Sequence, residues 1–126
     1  MATITSYYTA LLALLLLALS VRVIQARLAG RVVLGMGDGD RRLLRASRAQ
    51  GNFVEYVPMI LLLMLLLELG GAGGWLLHLL GGMTLAGRLS HGLAISREPE
   101  NLRFRQAGML LTFLPLTVGA VALLLR

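Results

Sequence analysis

Four long apolar stretches limit what this chain can fold into. Each is rich in leucine and approaches the ~20 residues that an α-helix needs to cross the hydrocarbon core of a bilayer. They are residues 7–24, 53–69, 75–89 and 109–125. A soluble bundle is the weaker alternative, because its helices need a polar face and these are apolar all round. The sequence therefore predicts one all-α domain over residues 1–126, an integral membrane four-helix bundle.

The connections between these stretches set the expected helix bounds. Residues 35–40 contain three glycines and two aspartates, and residues 70–74 are almost entirely glycine. Asp40 is suited to cap the start of the second helix, and Pro99 ends the third. The predicted helices span about 5–27, 41–69, 75–96 and 102–125.

Arginine supplies all twelve basic residues, and the net charge is +6. The first and third connections are rich in arginine, whereas the N-terminus and the glycine connection have none. The positive-inside rule places the arginine-rich connections in the cytoplasm and both termini on the other side. Nucleic acid is not an expected partner, because the chain lacks a soluble basic face with stacking aromatics. No metal site is predicted, and the absence of cysteine excludes disulfides and a protein thiol nucleophile.

A polar stripe runs into the apolar part of the second helix. Its members are spaced at i, i+4, i+7 and i+8, which is one helical face: Arg48, Asn52, Glu55 and Tyr56. An ionisable group in such a segment costs about 2.5–3.5 kcal/mol at mid-membrane, so it is a functional candidate by default. The other helices bring further polar side chains to the same end, namely Arg27, Arg31, Arg88, His91, Arg103 and Arg105. Many arginines around one carboxylate predict a pocket for a small polyanionic ligand.

Each of these residues also has a structural interpretation. Arginines near helix ends commonly extend to lipid headgroups, which is the favoured interpretation of Arg22, Arg31, Arg41 and Arg42. Arg48 and Glu55 could form an ion pair between helices, and His91 could be a packing histidine. Glu68 and His78, near the glycine connection, are expected to have no special role.

The stripe lies within a recognisable motif. The segment Arg48-Ala-Gln-Gly-Asn52-Phe-Val-Glu55-Tyr56-Val-Pro58 resembles the signature of the MAPEG family, the membrane-associated proteins in eicosanoid and glutathione metabolism. Residues 87–91, Gly-Arg-Leu-Ser-His, are similar to a third-helix segment of the same family. The resemblance covers nearly the whole chain and is closest to short bacterial members. It implies a homotrimer in a bacterial inner membrane, with glutathione held between protomers and open to the cytoplasm.

The resemblance also implies roles for individual residues. By motif position, glutathione would be bound by Arg27, Arg48, Asn52, Glu55, Tyr56 and His91. An arginine at the start of the fourth helix would stabilise the thiolate, because a nearby guanidinium lowers a thiol's pKa. Arg103 and Arg105 are both candidates, and Arg105 is favoured. One position departs from the family pattern, since Ile95 stands where a tyrosine is usual.

The function that follows is a membrane-bound glutathione transferase. It would conjugate the glutathione thiolate to a small lipophilic electrophile, which is a detoxification reaction. Two alternatives stay open: a non-catalytic glutathione- or lipid-binding membrane protein of the same fold, and a small transporter.

Overall fold

The computed structural model describes residues 1–126 as four α-helices: α1 (Thr3–Gly30), α2 (Arg41–Leu69), α3 (Gly74–Ile95) and α4 (Leu102–Leu124). Each helix begins and ends within three residues of the predicted bounds. The largest difference is at the end of α1, which continues to Gly30 and stops where Arg31 adopts a left-handed conformation with φ of 54°. Consecutive helices run in opposite directions, so the bundle has two distinct ends.

Side-chain caps fix the starts of two helices. The Asp40 carboxylate accepts a hydrogen bond of 3.0 Å from the backbone N–H of Leu43, at the start of α2. The Asn101 side chain accepts one of 3.3 Å from the N–H of Phe104, at the start of α4. Both caps satisfy N–H groups that have no partner within the helix. They fix the residues at which α2 and α4 begin.

Three of the helices, α1, α2 and α4, are long and apolar enough to cross a membrane, so the chain is an integral membrane protein. Helix α3 is 22 residues long and is not one of these three, because glycines, two histidines and Arg88 lower its mean hydropathy. It packs against the other three helices, whereas α1 and α4 do not contact one another. Arg88 and His91 are therefore buried by protein. A membrane crossing by α3 stays a prediction.

The core lies between the helices, and the outward faces of α1 and α4 are covered with exposed leucines and other large apolar side chains. Towards one end, α2 packs on α3 through buried residues that include Ile60, Met64 and Leu77. Towards the other end, α1 packs on α2 through a cluster that includes Leu19 and Phe53. This second end holds the start of α2, the start of α4 and most of the arginines, and it is called the arginine-rich end below.

The expectation that Glu68 has no special role is wrong. Its carboxylate accepts hydrogen bonds from the backbone N–H groups of Ile4 at 2.7 Å and Thr5 at 2.8 Å, at the start of α1. A carboxylate at this position satisfies unpaired N–H groups and favours the positive end of the helix dipole. His78 also has a partner there, because its Nδ1 lies 3.2 Å from the Tyr8 hydroxyl. These contacts join α1, α2 and α3 at the end opposite the arginines.

Candidate functional site

Arg88 is the centre of a buried polar network. Its side chain is only 2% exposed. Nη1 donates to the Asn52 side-chain oxygen, and Nη2 donates to Thr112 Oγ1 at 2.5 Å and to the Gly108 carbonyl at 3.2 Å. The network therefore ties α3 to α2 on one side and to α4 on the other.

Two glycines make this network possible. A Cβ atom on Gly87 would lie 2.9 Å from the Gly108 carbonyl oxygen, so only glycine allows α3 and α4 to approach so closely. The close approach brings the Gly108 carbonyl within reach of Arg88. All the hydrogen-bond acceptors around Arg88 are neutral, and its Nε has no partner. A buried charge without a counter-ion is costly, so each of these acceptors matters.

The sequence pattern puts Arg88 near the expected pocket but not among the predicted site residues. The available signal was its spacing of three residues from His91, which puts both side chains on one face of α3. The structure shows that this face is turned into the bundle, because both side chains are buried. Arg88 thus orients Asn52, one of the predicted glutathione ligands.

A cleft of about 520 Å³ opens at the arginine-rich end, and none of the residues of the Arg88 network lines it. It is called the α2–α4 cleft, and its lining includes Arg41, Arg45, Arg48, Ile95, Glu100 and Arg105. Arg105 Nη1 lies 2.9 Å from Glu100 Oε1, and Arg45 Nη1 lies 3.7 Å from Glu100 Oε2. Four guanidinium groups around one carboxylate make a site for an anion with more than one negative group.

Two of the predicted site residues, Arg48 and Arg105, come together in this cleft from different helices. Arg103 is exposed, has no hydrogen-bond or ion-pair partner, and does not line the cleft. Arg27 lies elsewhere, since its Nη1 donates to the Gly35 carbonyl at 2.6 Å and holds the α1–α2 connection against α1.

The polar stripe of α2 is divided between two environments. Asn52 is buried against Arg88, and Tyr56 is half-buried with its ring edge-on to Phe113, the centroids 5.4 Å apart. Arg48 and Glu55 are exposed, and Glu55 has no polar partner. An ion pair between Arg48 and Glu55 is absent, because every ion pair in the protomer involves Glu98 or Glu100.

A second cleft of about 300 Å³ lies on the other side of Arg45. It is called the α1–α2 cleft, and it is lined by Arg22, Gln25, Arg42, Arg45, Ser96 and Glu98, with Ala46 the one apolar residue. Arg45 lines both clefts. The sequence did not predict this cleft, because its residues come from three separate segments.

Glu98 holds the α3–α4 connection against the start of α2. Its Oε1 accepts hydrogen bonds from Arg45 Nε at 2.8 Å and from Arg41 Nε at 3.1 Å. The Arg45 hydrogen bond, followed by the charge of Arg41, lowers the pKa of the Glu98 carboxyl. Arg41 therefore pairs with a protein carboxylate, whereas the sequence favoured its extension to lipid headgroups.

Comparison with known proteins agrees with the motif. The model of the MAPEG family matches residues 5–125. Two curated relatives from strains of Escherichia coli, both named "Inner membrane protein YecN", are 38% identical over 119 residues, which is 94% of this chain and 88% of theirs. No solved structure matches the chain. The family match spans all four helices and includes the whole α2 motif, so the resemblance seen in the sequence is confirmed. The chain belongs to the MAPEG family.

Proposed function

We propose that the protein is a glutathione transferase of the bacterial inner membrane that binds glutathione in the α2–α4 cleft. One observation carries the proposal. Arg48, from the family motif on α2, and Arg105, from the start of α4, line the same cleft although 57 positions separate them in sequence. The inner-membrane location is supported by the name of the Escherichia coli relatives and by the apolar helices.

The cleft suits the chemistry of glutathione, which carries two carboxylates, an amino group and a thiol. Arginine pairs with carboxylates through two parallel hydrogen bonds, and Arg45 and Arg48, which line the cleft, would bind the carboxylates in this way. Arg105 would then face the thiol. Its guanidinium would lower the thiol pKa from about 8.5 by roughly 1–3 units and so increase the thiolate fraction at neutral pH. The thiol would give its proton to water, and the thiolate would attack the electrophilic carbon of a lipophilic substrate arriving from the bilayer. The C–S bond of a thioether would form as the bond from that carbon to a leaving group, such as chloride, breaks.

The assembly that we propose is a homotrimer, with its arginine-rich end in the cytoplasm. Glu55 and Arg48 are exposed on the protomer, and an unpartnered carboxylate on an apolar helix is costly unless another chain or a ligand covers it. Arg27 does not line the α2–α4 cleft of its own protomer, and α1 does not contact α4. If Arg27 binds glutathione, it therefore does so from a neighbouring protomer.

A non-catalytic glutathione-binding protein is the second candidate. Ile95 is buried and lines the α2–α4 cleft, at the position where the family usually has a tyrosine. The cleft wall therefore offers an apolar side chain at a place where a hydroxyl would otherwise reach the ligand.

The deciding experiment uses the purified protein in detergent. Calorimetry measures glutathione binding, ultraviolet difference absorbance measures thiolate formation, and the rate of conjugation is followed with a chloronitrobenzene electrophile. Binding with thiolate and conjugation supports the transferase, and binding without conjugation supports the second candidate. Absence of glutathione binding overturns both.

A further inference from the structure

We infer that the α1–α2 cleft is a second anion site, one that binds a phosphate group. The proposal does not depend on glutathione, because the cleft lies on the opposite side of Arg45 from the α2–α4 cleft. It rests on the donors that face the cleft, on their lack of partners and on their depth along the helices.

The donors come from two helices and are not used elsewhere. Arg22 and Gln25 project from adjacent turns of α1, and Arg42 projects from the first turn of α2. None of the three side chains makes a hydrogen bond or an ion pair in the protomer. Ser96 is different, because its hydroxyl already donates to the Gly92 carbonyl at 2.5 Å. The free donors are therefore two guanidinium groups and one amide.

The charge in the cleft is not balanced by protein. Three guanidinium groups line it together with one carboxylate, that of Glu98. Glu98 is bound to Arg45 and Arg41, and it forms no ion pair or hydrogen bond with Arg22 or Arg42. A bound anion would compensate the charges of Arg22 and Arg42, and two planar guanidinium groups match the oxygens of a phosphate.

The lining and depth of the cleft favour a phosphate group over a larger or more apolar anion. Ala46 is the one apolar residue in the lining, so there is no surface on which an aromatic ring or an acyl chain could pack. Arg22 lies eight residues before the end of α1, about 12 Å along the helix axis. Arg22 also stands at the end of the apolar stretch 7–24, where a membrane-spanning helix leaves the hydrocarbon core, so the phosphate of an anionic lipid could enter from the side. A soluble phosphate ester could enter from the aqueous end.

The test measures binding of two probes to the full-length protein. In one arm, native mass spectrometry counts phosphatidylglycerol that stays bound after release from nanodiscs of phosphatidylglycerol and phosphatidylcholine. In the other arm, calorimetry in detergent measures binding of inorganic phosphate. Arg22→Gln and Arg42→Gln should each weaken binding about tenfold, the loss expected for one charge-assisted hydrogen bond. Glu98→Gln, which removes the carboxylate of the cleft, should strengthen it.

Arg97→Gln is the matched control, because Arg97 is an exposed arginine at the same end with no partner and no place in either cleft. Arg42→Lys keeps the charge but loses the planar pair of donors, and it should give an intermediate loss. A response in the lipid arm alone identifies a headgroup site, and a response in the phosphate arm alone identifies a site for a soluble phosphate ester. The inference is overturned if neither probe binds, or if Arg22→Gln and Arg42→Gln act no more strongly than Arg97→Gln.

Discussion

Arg88 and Glu55 are opposite cases of a charged side chain on an apolar helix. Arg88, on α3, is fully buried and bonded to acceptors on α2 and α4. Glu55, on α2, is exposed and has no polar partner in the protomer. Yet the two are close in the fold, because Asn52 accepts the Arg88 hydrogen bond and lies three residues before Glu55.

This difference separates what the protomer completes alone from what it leaves open. The Arg88 network uses side chains and a carbonyl of one chain, so it stabilises the bundle with or without a ligand. Arg48 and Glu55 lie on the same helix but are exposed, and neither has a polar partner within the protomer. Within the nine residues of the motif, Asn52 thus forms a structural half, and Arg48 and Glu55 form a binding half, the part to which we propose that glutathione binds.

The binding half gives the largest expected effect. Glu55→Ala or Arg48→Ala should weaken glutathione binding by about 2–5 kcal/mol, the cost of removing one member of a hydrogen-bonded charge pair in an interface. Neither change should lower the thermal stability of the unliganded protein, because neither side chain has a partner within the protomer and we expect the ligand to supply it. Calorimetry and thermal unfolding give the two quantities. Arg97→Ala is the control, and an equal loss of binding there would indicate a general charge effect.

The structural half predicts a loss of stability in the unliganded protein. Asn52→Leu deprives the buried Arg88 of an acceptor and should lower stability by about 1.5–3 kcal/mol, the range for a hydrogen bond to a charged group. The double change Asn52→Leu with Arg88→Met removes the charge as well, so it should recover much of the loss. Trp75 fluorescence during heating follows unfolding. If the double variant is less stable than Asn52→Leu alone, the cost does not come from an uncompensated charge.

The third effect concerns the two arginines at the start of α4. Arg105 lines the α2–α4 cleft and Arg103 does not. If glutathione conjugation is observed, Arg105→Leu should move its rate profile to higher pH by about 1–2 units, because the thiol loses a stabilising cation. Glutathione should still bind. Arg103→Leu should leave the profile in place, and the opposite result would reverse the assignment.

The sequence predicted the helices better than the site. Helix bounds depend on local signals, such as the Asp40 cap, and those signals are readable along the chain. The partners of Arg88 are not local, since Thr112 and the Gly108 carbonyl reach it only because Gly87 lets α4 pack closely. Periodicity placed Asn52 and Glu55 on one face, but the packing of α2 against α3 and α4 decides which of them is buried.

The smallest effect is expected for Glu98, whose ion pairs with Arg41 and Arg45 lie outside both halves of the motif. Its pKa is lowered by the Arg45 hydrogen bond and by the charge of Arg41. A carboxyl with a lowered pKa in the folded state stabilises the protein above its unfolded-state pKa, and this contribution is lost as the pH falls through the folded-state value. Glu98→Gln should therefore be slightly less stable than the natural protein at neutral pH and equally stable in strong acid.

The difference in stability between the two proteins should be small and should shrink at high salt, because the pair is exposed. Melting temperatures of both proteins across a pH series, at low and high salt, measure it. A difference that stays constant or grows as the pH falls would show that the ion pair is not its source.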